Sequence, residues 1–440
     1  MQSAMTRRHV QTLLTLSVIV RLAVWILVYI SARLLPLFDA SPSIWINGTP
    51  PSSILLRWDA FHFAHVAREG YVYEHEWAFF NGLPLLMRIL DHLQALAGFG
   101  TNGWGTLLRG GAGMAILCDS THVLYHLSLH YFRSPSLAFL SAALSLLSSS
   151  PAALKLASYN EPFFTYLSYR GMLACARSKW AAASVCFALA SMFRSNGILL
   201  SGFILWGMLV APFLTGQKDL VSIIIRVMTS ELMHLCQLTP RRLLKCVLLT
   251  ALPLIPFIHH NVMAYLLFCK PSATHIPDWC TNNMLPSIYS HVQSKYWNVG
   301  FLRYWTVSNI PNFMFALPVL LHVFAFCWFY LSNLPAIIPH IAPWIRSKNN
   351  DVPPPPQLDS PFLSPSLLPH VLHALALTLI LTFNAHVQIS LRLLPSLPLT
   401  YWAAARLMLD LPKWGKAWVT WSVLWGALSC VLWAVFLPPA

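Results

Sequence analysis

RWDAFHFAHVAREGYVYEHEWAFFNGLP, residues 57–84, is the stretch from which the chain is best read. The whole chain has 14 Asp and Glu residues, and Asp59, Glu69, Glu74 and Glu76 all fall here. They stand among His62, His65, His75, Trp58 and Trp77. The stretch follows the apolar run 10–37 by about twenty residues, and a run of that length is enough to cross a bilayer. It is therefore expected to emerge on the far side of a membrane. Carboxylates, imidazoles and aromatic rings gathered there suit a reaction on a polar group held at the membrane face. An interfacial aromatic belt with solvated charges is the alternative.

Composition bounds the class. Of 440 residues 57% are hydrophobic and 10% charged, against roughly 25% charged in soluble domains. Such a chain cannot cover itself in water, so residues 1–440 read as a single polytopic, all-α membrane domain of about 9–11 transmembrane helices. The net charge of +14 is dispersed between apolar runs, which fits the positive-inside bias and anionic headgroups and argues against nucleic acid. Most of the nine cysteines lie inside apolar runs and read as inert buried thiols. Cys269 and Cys280 flank a polar loop and would pair if that loop faces an oxidising lumen.

Arg7, Arg8 and His9 precede the first apolar run, which places them in the cytosol and sends residues 39–78 to the lumen as a first, catalytic loop. The sequon at Asn47 falls in that loop. Residues 79–98 are apolar but interrupted by Gly82 and Pro84, and read as an oblique or interfacial segment. Further spans are expected near 109–131, 135–151, 161–176, 180–193, 197–215, 246–267, 311–331, 368–383, 388–405 and 417–437. Several are shorter than a perpendicular helix needs, which implies merged, broken or re-entrant helices. The basic stretch 216–245 reads as a cytosolic amphipathic segment. Residues 268–308 form a second large luminal loop rich in aromatics, and 346–369, with Pro353 to Pro356 in a row, an extended cytosolic linker.

Residues 57–84 closely resemble the first luminal loop of the GPI mannosyltransferase 2 family. Further blocks follow in the same order: ASYNEPFF (157–164), MFRSNG (192–197), WC followed by PSIYSHVQSKYWNVGFLRYW (279–305), HVQISLRLL (386–394) and FLPPA (436–440). The set covers most of the chain. Asn81 and Gly82 stand where the family usually has Pro, and the Pro-rich linker reads as a lineage-specific insert.

What the resemblance implies is a GT-C type glycosyltransferase of the endoplasmic reticulum membrane with a luminal active site. Its donor would be dolichyl-phosphate mannose and its acceptor the GPI precursor carrying one mannose, joined in α-1,6 linkage. No cofactor and no metal are implied, and a small accessory membrane subunit is left open. The alternatives are another dolichyl-phosphate-sugar transferase or, from another class, a transporter or lipid scramblase. A transporter would place ionisable groups at the bilayer midplane in paired half-repeats, which this chain lacks by inspection.

A β-linked donor and an α-linked product imply one inverting displacement. A carboxylate must then take the proton of the attacking hydroxyl, and the leaving phosphate needs cationic neighbours. Asp59 is the expected base, with a helix N-cap as its structural alternative. Glu74 and Glu76 are expected to position acceptor hydroxyls or tune the base. Arg392, helped by His386 and Gln388, is assigned to the donor phosphate, because a guanidinium fork matches phosphate oxygens. Trp58, His75, Tyr289, Gln293, Tyr296, Trp297, Asn298 and Glu161 are the expected sugar-binding or acceptor-binding set. Glu161 also fits a helix start. His62 and His65 are read as hydrogen-bonded packing rather than a metal pair, and 194–197 as a tight turn.

Overall fold

A computed structural model describes residues 2–38, 56–98, 103–216, 240–269, 276–281, 286–342 and 358–437. The Asn47 sequon, most of the basic segment, the four consecutive prolines and residues 438–440 lie outside the described residues. Among the described residues every regular element is helical.

The chain opens with α1 (Gln2–Leu34), α2 (Asp59–Glu69), α3 (Gly82–Leu96), α4 (Trp104–Leu117), α5 (Thr121–Phe132) and α6 (Pro135–Leu144). Then come α7 (Pro151–Lys155), α8 (Asn160–Ala176), α9 (Trp180–Ser191), α10 (Ser201–Leu205) and α11 (Ala211–Gly216). The second half holds α12 (Pro240–Ala251), α13 (Ile255–Phe268), α14 (Asp278–Thr281), α15 (Ile288–Trp297), α16 (Ile310–Ser332) and α17 (Leu334–Ile341). It closes with α18 (Leu368–Phe383), α19 (Ser390–Leu393), α20 (Pro398–Asp410) and α21 (Pro412–Ala434).

Among the described residues six helices are long and apolar enough to cross a membrane: Ala4–Leu34, Ser195–Thr215, Arg241–Phe268, Val307–Ser332, Pro365–Phe383 and Pro412–Ala434. The other expected crossings are short or broken. The run 109–131 divides between α4 and α5 at residues 118–120, and 135–151 between α6 and α7. Arg241, Arg242 and Lys245 belong to the first turns of the 241–268 helix rather than to a separate amphipathic segment. The expected span 388–405 is corrected: it is a 3-10 turn, the four-residue α19, a second 3-10 turn and then α20. Pro395 and Pro398 supply no backbone N–H and cannot continue a helix through that region.

Two contacts set the molecule's polarity. α1 packs along α21, and the backbone N–H of Phe38, just past α1, donates to the carbonyl of Val435, just past α21, at 2.8 Å. The two helices therefore run in the same direction. Arg7 and Arg8 near the start of α1, and Lys413 and Lys416 at the start of α21, mark one end of the bundle. The opposite end carries α2 and the 3-10 turn Glu74–Ala78. It also carries the Cys269–Cys280 disulfide, which packs in a cluster with Trp77, Trp279 and Val292.

Candidate active site

Asp59 is the first residue of α2, and its position is fixed from both directions. The preceding Arg57 is buried and donates to the carbonyls of Trp433 (3.2 Å) and Ala434 (3.1 Å) at the C-terminal end of α21. There the cation meets the negative end of the helix dipole. Trp58 holds a positive φ of 38°, a conformation that strains a bulky residue. Its ring is held against Trp433 and Phe436 at centroid distances of 5.2 and 5.3 Å. At the far end of α2, Arg88 of α3 donates to the carbonyls of Ala67 (2.8 Å) and Val66 (3.0 Å). The helix cap is Trp58, so Asp59 is not the N-cap residue and its carboxylate is turned to other partners.

That partner is Arg392, whose Nη1 donates to Asp59 Oδ2 at 2.7 Å. The Nε of Arg392 lies 3.6 Å from Glu161 Oε1, and the same oxygen accepts from Arg194 Nη1 at 2.5 Å. Two carboxylates and two guanidinium groups thus alternate in one chain: Asp59, Arg392, Glu161, Arg194. Each arrives on a different short element. Glu161 is in the first turn of α8, Arg392 on α19, and Arg194 just before the 3-10 turn Ser195–Leu200. The residues read as a tight turn at 194–197 therefore start a helical segment. Glu161 is 3% exposed and Asp59 28% exposed, so Asp59 is the carboxylate with room to meet a substrate.

The cluster borders a cavity of about 630 Å³. Of the residues expected from sequence, Asp59, Glu161, Tyr289, Gln293, Trp297, His386 and Arg392 line it. Leu377, Ile380 and Leu381 of α18, with Ile198 and Leu199, give it an apolar wall. Arg194, Ser195, Asn196 and Asn160 line it as well. The Nδ2 of Asn196 is buried without a hydrogen-bond partner, a donor available to a bound group. The signal for these residues was the MFRSNG block, which reads as turn chemistry until its position beside Glu161 is known.

The remaining expected residues lie outside the cavity lining. Glu76 is 1% exposed and accepts from the backbone N–H groups of Val72 and Tyr73 at 2.9 Å each, besides contacting His65. It is an internal brace of its own loop. Glu74 accepts from Lys295 (2.6 Å), Tyr296 (2.7 Å) and His291 (3.1 Å), joining the first loop to α15. Partial burial alone would raise the Glu74 carboxyl; hydrogen bonds from Lys295 and Tyr296 outweigh it and hold the group below its ordinary range. His75 packs between Tyr73 and Tyr296. Asn298 is the left-handed cap of α15 (φ 50°), and Gln388 accepts from Tyr304. His62 stacks on Phe79 at 4.6 Å, and among the described residues its buried Nδ1 has no hydrogen-bond partner, so its packing is not the hydrogen-bonded kind expected. His386 donates to the Trp297 carbonyl, which ties the α18–α19 connection to α15 beside the cavity.

Asp59 and Glu161 each already face a guanidinium, so the four charged groups at the cavity wall balance one another. Tyr289 donor capacity, the Gln293 amide and the Trp297 ring beside it suit a hydroxylated ring. The fold and site define a multi-pass membrane protein with a charged cavity walled on one side by apolar helices. The family model for mannosyltransferase (PIG-V) matches residues 3–440. GPI mannosyltransferase 2 of Cryptococcus neoformans is 33% identical, over 93% of this chain and 93% of the relative. GPI alpha-1,6-mannosyltransferase 2 of Mus musculus is 33% identical over 81% and 73%, and GPI mannosyltransferase 2 of Aspergillus fumigatus 30% identical over 89% and 82%. No solved structure matches. The chain belongs to the mannosyltransferase (PIG-V) family.

Proposed function

We propose that this enzyme transfers the second mannose of the GPI anchor, in α-1,6 linkage, from dolichyl-phosphate mannose to the one-mannose precursor at the luminal face of the endoplasmic reticulum. Family membership and the relatives' names support mannosyl transfer in GPI assembly. The observation that carries the residue roles is the 2.7 Å Arg392–Asp59 pair at the cavity wall.

In one inverting step the acceptor hydroxyl oxygen attacks the anomeric carbon. The bond from that carbon to the phosphate oxygen breaks, and dolichyl phosphate leaves with the electron pair. The hydroxyl proton passes to Asp59, since a neutral alcohol is a poor nucleophile. Arg392, with Arg194 and the Asn196 amide, receives the negative charge that develops on the phosphate. Before the donor binds, Arg392 occupies Asp59; a phosphate competes for the same guanidinium and leaves the carboxylate free to act as base. Glu161 stays buried between the two arginines and holds them apart at fixed spacing.

The polarity of the bundle supports the luminal placement. The cavity and the disulfide lie at the end away from Arg7, Arg8, Lys413 and Lys416, and basic ends stay cytosolic. The test uses microsomes lacking their own second-mannose activity, supplied with labelled dolichyl-phosphate mannose. The wild-type chain is expected to convert the one-mannose to the two-mannose lipid, and Asp59→Asn at equal protein level is not. Conversion by Asp59→Asn would move the base elsewhere, and no conversion by well-inserted wild type would reject the donor or acceptor.

A further inference from the structure

Away from the catalytic cavity, α5 and α8 lie side by side and carry a column of basic side chains. His122, His126 and His130 recur every four residues along α5 and so share one face, each partly exposed. The His122 ring lies 6.3 Å from the Tyr166 ring of α8, and the Arg170 guanidinium stands 6.0 Å over that same ring. Arg177 lies within electrostatic reach of both His126 and His130, and Arg133 within reach of His130. Arg133, Arg170 and Arg177 are exposed, and among the described residues none of them is ion-paired. The acid nearest the column, Asp119, sits at its upper end and is already engaged by Arg21 and the Thr121 backbone N–H.

The column belongs to the basic end of the bundle. His9, beside Arg7 and Arg8 on α1, bonds the Tyr125 hydroxyl of α5 at 3.3 Å, and Asp119 before α5 lies 3.9 Å from Arg21, so α5 runs antiparallel to α1 toward its start. Exposed basic side chains on adjoining membrane helices, at the basic end of the bundle, match the anionic headgroups of a lipid leaflet. Guanidinium forks pair with phosphate oxygens two at a time.

We infer that this face of α5 and α8 binds the headgroup of an anionic phospholipid from the cytosolic leaflet. Such inter-helical basic pockets are a recognised mode of lipid capture. The site is separate from the catalytic cavity, and the inference stands whether or not the transfer reaction is as proposed.

The experiment is native mass spectrometry of the full chain released from mixed micelles holding equal phosphatidylserine and phosphatidylcholine. Wild type is expected to retain phosphatidylserine preferentially. The Arg133→Gln, Arg170→Gln, Arg177→Gln triple variant should lose that preference, by on the order of a hundredfold if each arginine acts independently. Arg170→Lys keeps the charge and should keep most of the preference, and Arg177→Gln alone serves if the triple variant does not fold. Equal retention of the two lipids by wild type, or a preference unchanged in the variants, overturns the inference. So does full displacement by millimolar inorganic phosphate, which would mark a soluble-anion site. A co-purifying protein lost with the arginines, without any lipid preference, would instead mark a subunit interface and also overturn it.

Discussion

Arg392 is shared by two carboxylates, and this sets what single substitutions do around it. Asp59→Asn keeps the shape and a hydrogen-bond acceptor but removes the proposed base, so transfer should fall by roughly 10²–10⁴-fold with insertion intact, read from labelled two-mannose lipid. Glu161→Ala should act differently. It leaves Arg194 and Arg392 facing each other without the buried carboxylate between them, and removing one partner of a buried pair costs about 3–5 kcal/mol. A large drop in thermal unfolding temperature of the purified protein is expected, and an unchanged melt would deny Glu161 its bracing role. Arg392→Lys retains a charge but not the fork, so donor use should weaken more than acceptor use. Kinetics with each substrate varied in turn distinguish the two.

At the scale of elements, the cavity depends on close backbone approaches. The Gly82 N–H donates to the Met192 carbonyl at 2.9 Å, and a Cβ on Gly82 would lie 2.6 Å from that carbonyl oxygen. The start of α3 is thereby pressed against the segment that carries Arg194. Gly82→Ala must push the two apart, and about 1–3 kcal/mol of destabilisation is expected together with reduced transfer. Normal activity in that variant would show that the approach is dispensable. This departure from the resembled pattern, Asn81-Gly82 in place of Pro, therefore falls at a packing contact.

Glu74 with Lys295 and Tyr296 forms a second link, between the first loop and α15. Glu74 is held below its ordinary 4.5, so its contribution is present above that pH and disappears as pH falls through the lowered value. Lys295 is raised above 10.5, first by its hydrogen bond to Glu74, so its contribution is present below 10.5 and is lost as pH rises through the raised value. Between those limits the loop should resist protease. Glu74→Gln should admit cleavage near α15 at pH 7, and equal resistance would discount the link.

The molecule has a basic end and, opposite it, an end that carries the candidate site. If the latter end is luminal, Cys269 and Cys280 meet oxidising conditions and remain joined in cells, whereas the buried Cys246, Cys327 and Cys430 stay reduced. Alkylation before and after reduction, followed by peptide mapping, should find that one protected pair. Two free thiols at 269 and 280 would argue for the opposite orientation. Protease added to sealed microsomes should likewise cut near Lys413 and spare α15.

The membrane class was readable from residues alone, because hydropathy is a local property of the chain, whereas the transfer chemistry was carried by the resemblance of ordered blocks. Apolar runs longer than a bilayer is thick require helices, since a backbone in hydrocarbon must satisfy its own hydrogen bonds. The rarity of acids made Asp59 conspicuous, and an Arg among apolar residues singled out Arg392. Their direct contact across 333 residues was not readable, because it arises only when α2, α8 and α19 are packed together. The division of the 388–405 run was partly written in Pro395 and Pro398, yet its role in presenting Arg392 was not. Neighbouring acids in one loop also look alike in sequence. Only tertiary packing turned Asp59 toward the cavity, sealed Glu76 within its own loop and gave Glu74 to α15, since each carboxylate's role follows from which donors the fold brings within hydrogen-bond reach.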